Sequence, residues 1–148
     1  MRISTRGRYA LAAATVIAKC YSSGEYVTLI RLSEKLGLSK IYLEQVFALL
    51  KRGHIVNSIK GSQGGYLLAR APYLISAYDV LLAVETSLFE ETEETVMEKA
   101  PEIDAALRDV LFTPLDRSVK ELLQQISVLD LAVELERYQP SVEYEFSI

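Results

Sequence analysis

The segment 58–70, with the sequence SIKGSQGGYLLAR, limits the possible folds of this chain more than any other. Strand-forming residues lie on both sides of its glycines, in 54–60 (HIVNSIK) and in 66–69 (YLLA). The connection contains three glycines: Gly61, Gly64 and Gly65. Because glycine adopts backbone dihedrals that other residues avoid, we predict a β-hairpin whose turn uses all three in such conformations. A phosphate-binding loop is the alternative, but the segment matches neither G-x-x-x-x-G-K-[ST] nor G-x-G-x-x-G opening a helix.

Two short helices are predicted just before this hairpin. Thr28 can cap the first helix and Gly37 can end it in a left-handed conformation. Ser39 can cap the second helix, which should run to about residue 52. The short connection 37–39 is typical of a helix-turn-helix, in which the second helix is offered to the major groove of DNA. The turn alone does not separate this motif from other helical hairpins.

The second helix should have a buried face and a face suited to reading bases. Spacing places four apolar residues on the core side: Leu43, Val46, Phe47 and Leu50. The opposite side carries Ile41, Glu44, Gln45, Ala48 and Arg52. Gln can pair with adenine, Glu can accept from cytosine N4, and Ile can contact a thymine methyl group. Lys40, Lys51 and Arg52 are placed for phosphates. A solvated helix face is the alternative interpretation.

The remaining composition favours one compact domain in a reducing compartment. Half of the 148 residues are hydrophobic, which suits a single core with an added oligomerisation element. Apolar residues at helical spacing predict a helix over 5–20, with Cys20 buried on its apolar face. A single cysteine excludes an internal disulfide, and no apolar run is long enough for a membrane span. We therefore expect a soluble, cytoplasmic protein with no membrane partner.

Charge divides the chain into a basic half and an acidic half. Residues 1–85 contain 11 Lys or Arg and 5 Asp or Glu, whereas residues 86–148 contain 5 and 15, although the net charge of the whole chain is only −4. A local excess of cations is typical of a surface that binds a polyanion, and phosphates would repel the acidic half. Solvated surface charge in both halves is the alternative.

Three runs of sequence resemble the bacterial winged-helix regulators of the superfamily that includes IscR, NsrR and CymR. They are MRISTRGRYAL at 1–11, SKIYLEQVFALLKRGHIVNSIKGSQGGYLLA at 39–69, and ISAYDVLLAVE at 75–85. The resemblance implies a mostly α fold with a small β-hairpin wing: a winged helix-turn-helix domain in 1–85, followed by a long C-terminal dimerisation helix. It also implies a sequence-specific DNA-binding transcription regulator, acting as a repressor and as a homodimer, and not an enzyme.

The resemblance and the outward face of the second helix together predict the residues that contact double-stranded DNA. They are Arg2, Arg6, Arg8, Ser39, Lys40, Ile41, Tyr42, Glu44, Gln45, Arg52, Lys60, Gly61 and Gln63. In such regulators the residues after the turn enter the major groove and the wing cation enters the minor groove. Most relatives have arginine where this chain has Lys60, which keeps the charge but loses the planar fork of donors.

One departure from the superfamily concerns iron–sulfur clusters. The cluster-binding members carry three cysteines between the helix that follows the wing and the long dimer helix, but segment 85–110 of this chain has none. Thiolates are the main ligands of such clusters. We therefore predict no metal and no cofactor, as in the cluster-free, CymR-like members, so an effector ligand or a partner enzyme would have to supply the signal.

The acidic half, 86–137, is predicted to hold an acidic loop and the dimerisation helices. Apolar residues recur at helical spacing over about 102–125, and Pro114 should kink that helix or start a new one capped by Thr113. The expected dimer interface consists of Leu107, Leu111, Leu115, Val119, Leu122 and Ile126. Two-fold symmetry would then match a pseudo-palindromic operator. Closure of a monomeric core is the alternative role of this apolar stripe.

The end of the chain leaves a second function open. Ser127 can cap a last helix near 128–137. The tail at 138–148 alternates apolar and polar residues from 141 onwards, as a strand with one apolar face does. It could pack on its own dimer or bind a partner. The alternative function is therefore a protein-interaction module that keeps the fold and acts on a partner enzyme. His54, the only histidine, is predicted to open the first strand of the hairpin and suggests no catalytic site.

Overall fold

The computed structural model describes residues 3–61, 64–92, 96 and 99–139. It is mostly helical with one antiparallel two-stranded hairpin, so the predicted fold class is confirmed. The regular helices and strands are α1 (Thr5–Cys20), α2 (Leu29–Leu36), α3 (Lys40–Arg52), β1 (Val56–Ile59), β2 (Gly65–Leu68), α4 (Ala77–Val84), α5 (Pro101–Leu107), α6 (Thr113–Gln125) and α7 (Val128–Glu136). Short 3₁₀ turns lie at Tyr21–Ser23 and Pro72–Leu74, and a π-helical segment lies at Arg108–Phe112.

Hydroxyl caps fix where five of the helices begin. Each capping side chain accepts a hydrogen bond from the backbone N–H three residues further on, and the five caps are Ser4, Thr28, Ser39, Ser76 and Ser127. Such a cap stabilises a helix by about 1 kcal/mol. The predicted caps at Thr28, Ser39 and Ser127 are confirmed, and Gly37 ends α2 with a φ of 67°.

The core lies between α1, α3, α4, the hairpin and α7. The predicted inner face of α3 is confirmed, because Leu43, Val46, Phe47 and Leu50 are all fully buried. Helix α7 packs on α1 and contributes Val128 and Ala132 to the same core. Thus the last described helix completes the domain that the first helix begins.

Backbone hydrogen bonds join the segment at the start of α4 to the segment at the start of α7. Ser76 and Ser127 form an isolated antiparallel bridge. On either side of it, the Ala77 N–H donates to the Ile126 carbonyl at 2.7 Å and the Val128 N–H donates to the Ile75 carbonyl at 2.8 Å. The chain therefore leaves the winged-helix core after α4 and returns beside the start of the same helix.

The hairpin forms as predicted, with two differences. Its strands pair Val56 with Leu68 and Ile59 with Gly65, so each is shorter or shifted relative to 54–60 and 66–69. Gly64 (φ 61°) and Gly65 (φ 148°) have dihedrals that favour glycine, but Gly61 does not, and the prediction for Gly61 was wrong. Among the described residues of the turn, only Gly64 and Gly65 have such dihedrals.

His54 follows the C-cap of α3, Gly53, and does not open a strand, which corrects the prediction from sequence. It has a φ of 60°, the left-handed conformation usually left to glycine. The Ile55 N–H donates to the Leu50 carbonyl and the His54 N–H to the Lys51 carbonyl, as in a Schellman motif. The His54 carbonyl accepts a hydrogen bond from Arg70 Nη1 at 2.8 Å.

Helix formation continues from residue 101 to residue 125 through the π-helical segment. Thr113 has helical dihedrals (φ −64°, ψ −46°) and donates its N–H to the Arg108 carbonyl, five residues back. A fresh start capped by Thr113 was therefore wrong. Pro114 lies in the first turn of α6, where its missing N–H costs little because the wider π turn precedes it.

Two other predictions concern Cys20 and the tail. Cys20 is half-buried, so the expectation of a buried thiol was too strong. The predicted strand at 141–148 lies outside the described residues.

Among the helices that the structure describes, none is long and apolar enough to cross a membrane.

Candidate nucleic-acid interface

The outward face of α3 is open to solvent along its length. Ile41 is 70% exposed. Glu44, Gln45, Ala48 and Arg52 are exposed as well. They lie opposite the fully buried face of the same helix, so the core fixes their direction. The side chain of Ser39 is held at the start of this face, because it accepts the Tyr42 N–H at 3.1 Å.

Two tyrosines hold α3 against its neighbours. Tyr42 is half-buried and meets the ring of Tyr9 edge-on at 6.0 Å, which joins α3 to α1. Tyr66 of the hairpin packs on Phe47 with ring centroids 4.4 Å apart. Burial, and secondarily the negative charge of Glu44, raise the pKa of Tyr66 above its usual value. Its phenol therefore stays neutral at physiological pH and adds no negative charge to this surface.

The wing is pinned to the segment before α2. The Val27 N–H donates to the Tyr66 carbonyl, and the Tyr66 N–H donates to the Val27 carbonyl, both at 2.9 Å. A Cβ at Gly65 would lie 2.9 Å from Tyr26 Cβ, so glycine allows this close approach. Lys60 and Gly61 are exposed beyond the pinned part. A side chain at Gly61 would meet open space, whereas Gln63 lies outside the described residues.

The start of α1 is tied to the end of α4 by one carboxylate. Glu85 Oε1 accepts hydrogen bonds from Ser4 N–H at 3.1 Å and from Ser4 Oγ at 2.7 Å. A Cβ at Gly7 would lie 2.1 Å from this oxygen, so only glycine leaves room for it. The first turns of α1 carry Arg6, which is half-buried, and Arg8, which is exposed. Arg2 lies outside the described residues.

Sequence reasoning missed the roles of Glu85, Gly7 and Arg70. Arg70 donates to the carbonyls of His54 (2.8 Å) and Leu74 (3.3 Å) and lies 3.4 Å from Asp79. It therefore joins the end of α3, the end of the hairpin and the start of α4. Contacts that span so much of the chain leave no local pattern. The one available signal was Gly7, a glycine inside a helix.

The cations at the ends of α3 and on the hairpin are unpaired. Within the described ranges, Lys40, Lys51, Arg52 and Lys60 make no ion pair. Elsewhere, Arg137 pairs with Glu134. Unpaired cations need no carboxylate to be displaced before they contact phosphate, so this surface suits a polyanion.

A helix-turn-helix with an exposed second helix, followed by a glycine-turned hairpin and flanked by unpaired cations, defines the class of winged-helix DNA-binding regulators.

Within this class, the chain belongs to the Rrf2 family, whose model, described as an iron-dependent transcriptional regulator, matches residues 3–134. It is 35% identical over 131 residues to the HTH-type transcriptional regulator IscR of Sodalis glossinidius, covering 88% of this chain and 78% of that protein. The structure is similar to that of CymR of B. subtilis (TM-score 0.76, 30% identity, 90% of this chain and 98% of that chain). It is also similar to that of T. potens IscR (TM-score 0.70, 29% identity, 99% and 96%).

These findings confirm the predicted superfamily and a DNA-binding transcription regulator. The relatives are HTH-type regulators and not enzymes, which agrees with the prediction that this chain is no enzyme.

The residues of this chain do not fit an iron–sulfur cluster. The whole sequence has one cysteine, Cys20, which is at the end of α1. Among the residues that the structure describes, no group of three His, Cys, Asp or Glu side chains could hold a metal ion. Since clusters require several thiolates, the donors needed to hold one are missing.

Proposed function

We propose that the protein is a homodimeric, sequence-specific transcriptional repressor that works without an iron–sulfur cluster. One observation carries the sequence-specific part: α3 turns the base-reading side chains Ile41, Glu44 and Gln45 outward, next to unpaired cations. A dimer seated on its operator blocks access to the promoter, so repression is the simplest output.

In this proposal, some residues read the bases and others bind the DNA backbone. Gln45 can make a bidentate pair with adenine, and Glu44 can accept from cytosine N4. Lys60 at the wing would enter the minor groove, where the negative potential attracts cations. The cations on α1 and at both ends of α3 would contact phosphates and set the register, and they are Arg6, Arg8, Lys40 and Arg52, together with Arg2.

An exposed apolar stripe supports the proposed dimer. Along the helical region 101–125, Val110 is 79% exposed, Leu122 59% and Leu111 51%, and α6 has no fully buried residue. Leu107 and Leu115 are also exposed, while Val119 and Ile126 are half-buried. The described part of the chain does not cover this stripe, which speaks against closure of a monomeric core. A second copy would bury it across a two-fold axis.

Cluster-free operation is supported by the donor set described above. A cluster-binding relative needs thiolates between α4 and the long helix, where this chain has none. The signal that controls DNA binding would then be of another chemical kind.

A fluorescence-anisotropy titration tests the proposal. Purified protein is titrated with DNA from upstream of its own gene and with a scrambled duplex, at two salt concentrations. We expect a preference for the native DNA of about a hundredfold or more. Gln45→Ala should mainly relax the preference between sequences, whereas Lys60→Ala should weaken binding to every sequence and reduce the salt dependence.

Lys99→Ala is the matched control, because Lys99 is an exposed lysine of the acidic half. It should leave both affinities unchanged. Equal, weak binding to native and scrambled DNA would contradict the proposal and favour the protein-interaction alternative. Identical effects of Gln45→Ala and Lys60→Ala on every sequence would contradict the division between base reading and backbone binding.

A further inference from the structure

A groove of about 890 Å³ lies between α4, the segment 88–92 and the helical region 108–120. Binding sites for small molecules usually have volumes of about 300–1,000 Å³. One wall is Tyr78 of α4, and the opposite wall comes from the π-helical segment and α6. The groove therefore joins the winged-helix core to the acidic half.

Aromatic and apolar groups line part of the groove. The rings of Tyr78 and Phe89 meet edge-on with centroids 4.8 Å apart. Leu88 and Phe112 also line it. Phe112 ends the π-helical segment, and such segments are frequent at functional sites because they reorient the side chains that follow. This part of the groove suits the apolar body of a ligand.

Hydrogen bonds hold the two walls together and occupy one of the carboxylates. The Thr92 N–H donates to Asp116 Oδ2 at 3.2 Å, and Thr92 Oγ1 donates to the same carboxylate, 3.1 Å from Oδ1. Segment 88–92 is thus attached to α6. The Asp116 carboxylate accepts these hydrogen bonds and makes no ion pair with a described residue.

Besides Asp116 and Arg108, which is paired with Asp104, two cations and two carboxylates line the groove. Arg117 and Lys120 line it one helical turn apart, and Lys120 Nζ lies 5.5 Å from the centroid of the Tyr78 ring. Glu90 and Glu91 line the other wall. None of these four side chains makes an ion pair within the described part of the chain.

A ligand with one sign of charge would meet repulsion here. A simple anion would lie near Glu90 and Glu91, and a simple cation would lie near Arg117 and Lys120. We propose that the groove binds a small zwitterion with an apolar side chain, either an α-amino acid or a dipeptide. Its carboxylate binds Arg117 and Lys120, its ammonium group binds Glu90 and Glu91, and its side chain packs on the aromatic rings.

Occupancy of the groove regulates DNA binding. This part of the inference rests on the proposed function. The segment that forms one wall, 88–92, begins three residues after Glu85, whose carboxylate holds the capped start of α1. Because Tyr78 belongs to α4, the ligand also contacts the helix that ends at Glu85. Differential binding to two arrangements of this region shifts the operator affinity.

The test begins with ligand binding to the full chain, without DNA. The standard amino acids and a set of apolar dipeptides are screened at millimolar concentration by thermal shift, and those that stabilise the protein are titrated calorimetrically. We expect a Kd below about 1 mM for at least one of them. The two arms of the screen distinguish amino acids from dipeptides. The matching carboxylic acid without the amino group should bind about tenfold more weakly or worse.

Arg117→Gln and Lys120→Gln should each weaken binding by about tenfold or more, because each removes a charge-assisted contact. Arg137→Gln is the matched control, since Arg137 is an exposed arginine at the C-cap of α7, outside the groove, and it should bind like the wild type. Circular dichroism checks that the variants are folded. The site is overturned if no zwitterion binds, if Arg117→Gln and Arg137→Gln bind equally, or if the simple carboxylic acid binds as tightly.

The regulatory part is tested by adding the ligand to the operator titration. Operator affinity should change about fivefold or more in the wild type and stay constant in Arg117→Gln. An unchanged wild-type affinity at saturating ligand overturns regulation. A protein that binds the zwitterion but prefers no DNA sequence contradicts the proposed function and supports the site, so the two failures are distinguishable.

Discussion

The winged-helix core and the helical region 101–125 have the same kind of apolar periodicity but end in opposite environments. In α3 the periodic residues are fully buried, as Phe47 and Leu43 show. In the helical region, Val110 and Leu122 are mostly exposed. Periodicity therefore predicts a helix with one apolar face. Whether that face is buried within the same molecule depends on how the rest of the chain packs.

The two regions also differ in charge in a way that fits different partners. The first 85 residues have a surplus of six positive charges, and the remaining residues have a surplus of ten negative charges. A basic surface attracts nucleic acid, and an acidic one placed on the other part of the molecule is kept away from phosphates. Each region can therefore be tested for its own partner.

The largest expected effect is a loss of stability when a buried residue of α3 is truncated. Phe47→Ala should lower the free energy of unfolding by about 3–5 kcal/mol, because it leaves a cavity beside Tyr66. Leu122→Ala should change it by less than about 0.5 kcal/mol at concentrations that dissociate the dimer. Urea denaturation followed by circular dichroism measures both. Similar losses of stability in the two variants would contradict the difference in burial between α3 and the helical region 101–125.

The next effect is on assembly. Leu122→Asp should leave the protein monomeric, because an ionised carboxylate would be buried in the interface of the proposed dimer. Loss of the second DNA-binding site should weaken operator binding by about a hundredfold. Light scattering coupled to size exclusion gives the mass. Ile30→Asp on α2 is the control, since Ile30 is also 59% exposed, and that variant should remain dimeric.

A smaller effect should come from the contact that ties the start of α1 to the end of α4 within the winged-helix core. Glu85→Ala removes both hydrogen bonds to Ser4 and should lower stability by about 1–2 kcal/mol. Native and scrambled DNA should be bound more weakly by the same factor, because the start of α1 carries cations and not base-reading groups. Thermal unfolding and anisotropy measure the two effects. Glu102→Ala, at an exposed acidic residue, should change neither, and a loss confined to native DNA would contradict this account.

The smallest effect should be at the end of α3. His54→Gly should stabilise the protein by less than about 1 kcal/mol, because the left-handed strain is relieved while the unfolded chain gains freedom. His54→Val should destabilise it, since a β-branched residue tolerates this conformation poorly. Chemical denaturation of both variants measures these opposite changes in the free energy of unfolding. A stabilising valine would show that His54 is not strained.

Local chemistry made much of the fold predictable. The bounds of α1, the caps at Thr28 and Ser39 and the buried face of α3 all follow from signals within one or two helical turns. The errors at His54 and Thr113 arose where the structure uses a residue against its usual preference. The sequence around His54 resembles the start of a strand, although the residue has a left-handed conformation. The sequence Thr113-Pro114 resembles the start of a helix, although the proline follows a π turn within a continuous helical region.

The site was predictable to the extent that it lies on one helix and one turn. Exposure of Gln45 follows from the burial of Val46 and Phe47 beside it, which periodicity reveals, and exposure of Lys60 follows from its place at the glycine-rich turn. Contacts such as Glu85 with Ser4 depend on how α4 packs against α1, and no short-range pattern encodes them. The groove likewise exists because three distant segments meet.

The bridge between Ser76 and Ser127 makes the intervening acidic region, after α4, an insertion in a closed domain. Its two ends are fixed side by side on the winged-helix core, so its length and sequence are free to diverge while the core keeps its packing. A change confined to this region would therefore alter the walls of the proposed ligand groove that lie outside α4 and leave the DNA-binding core in place.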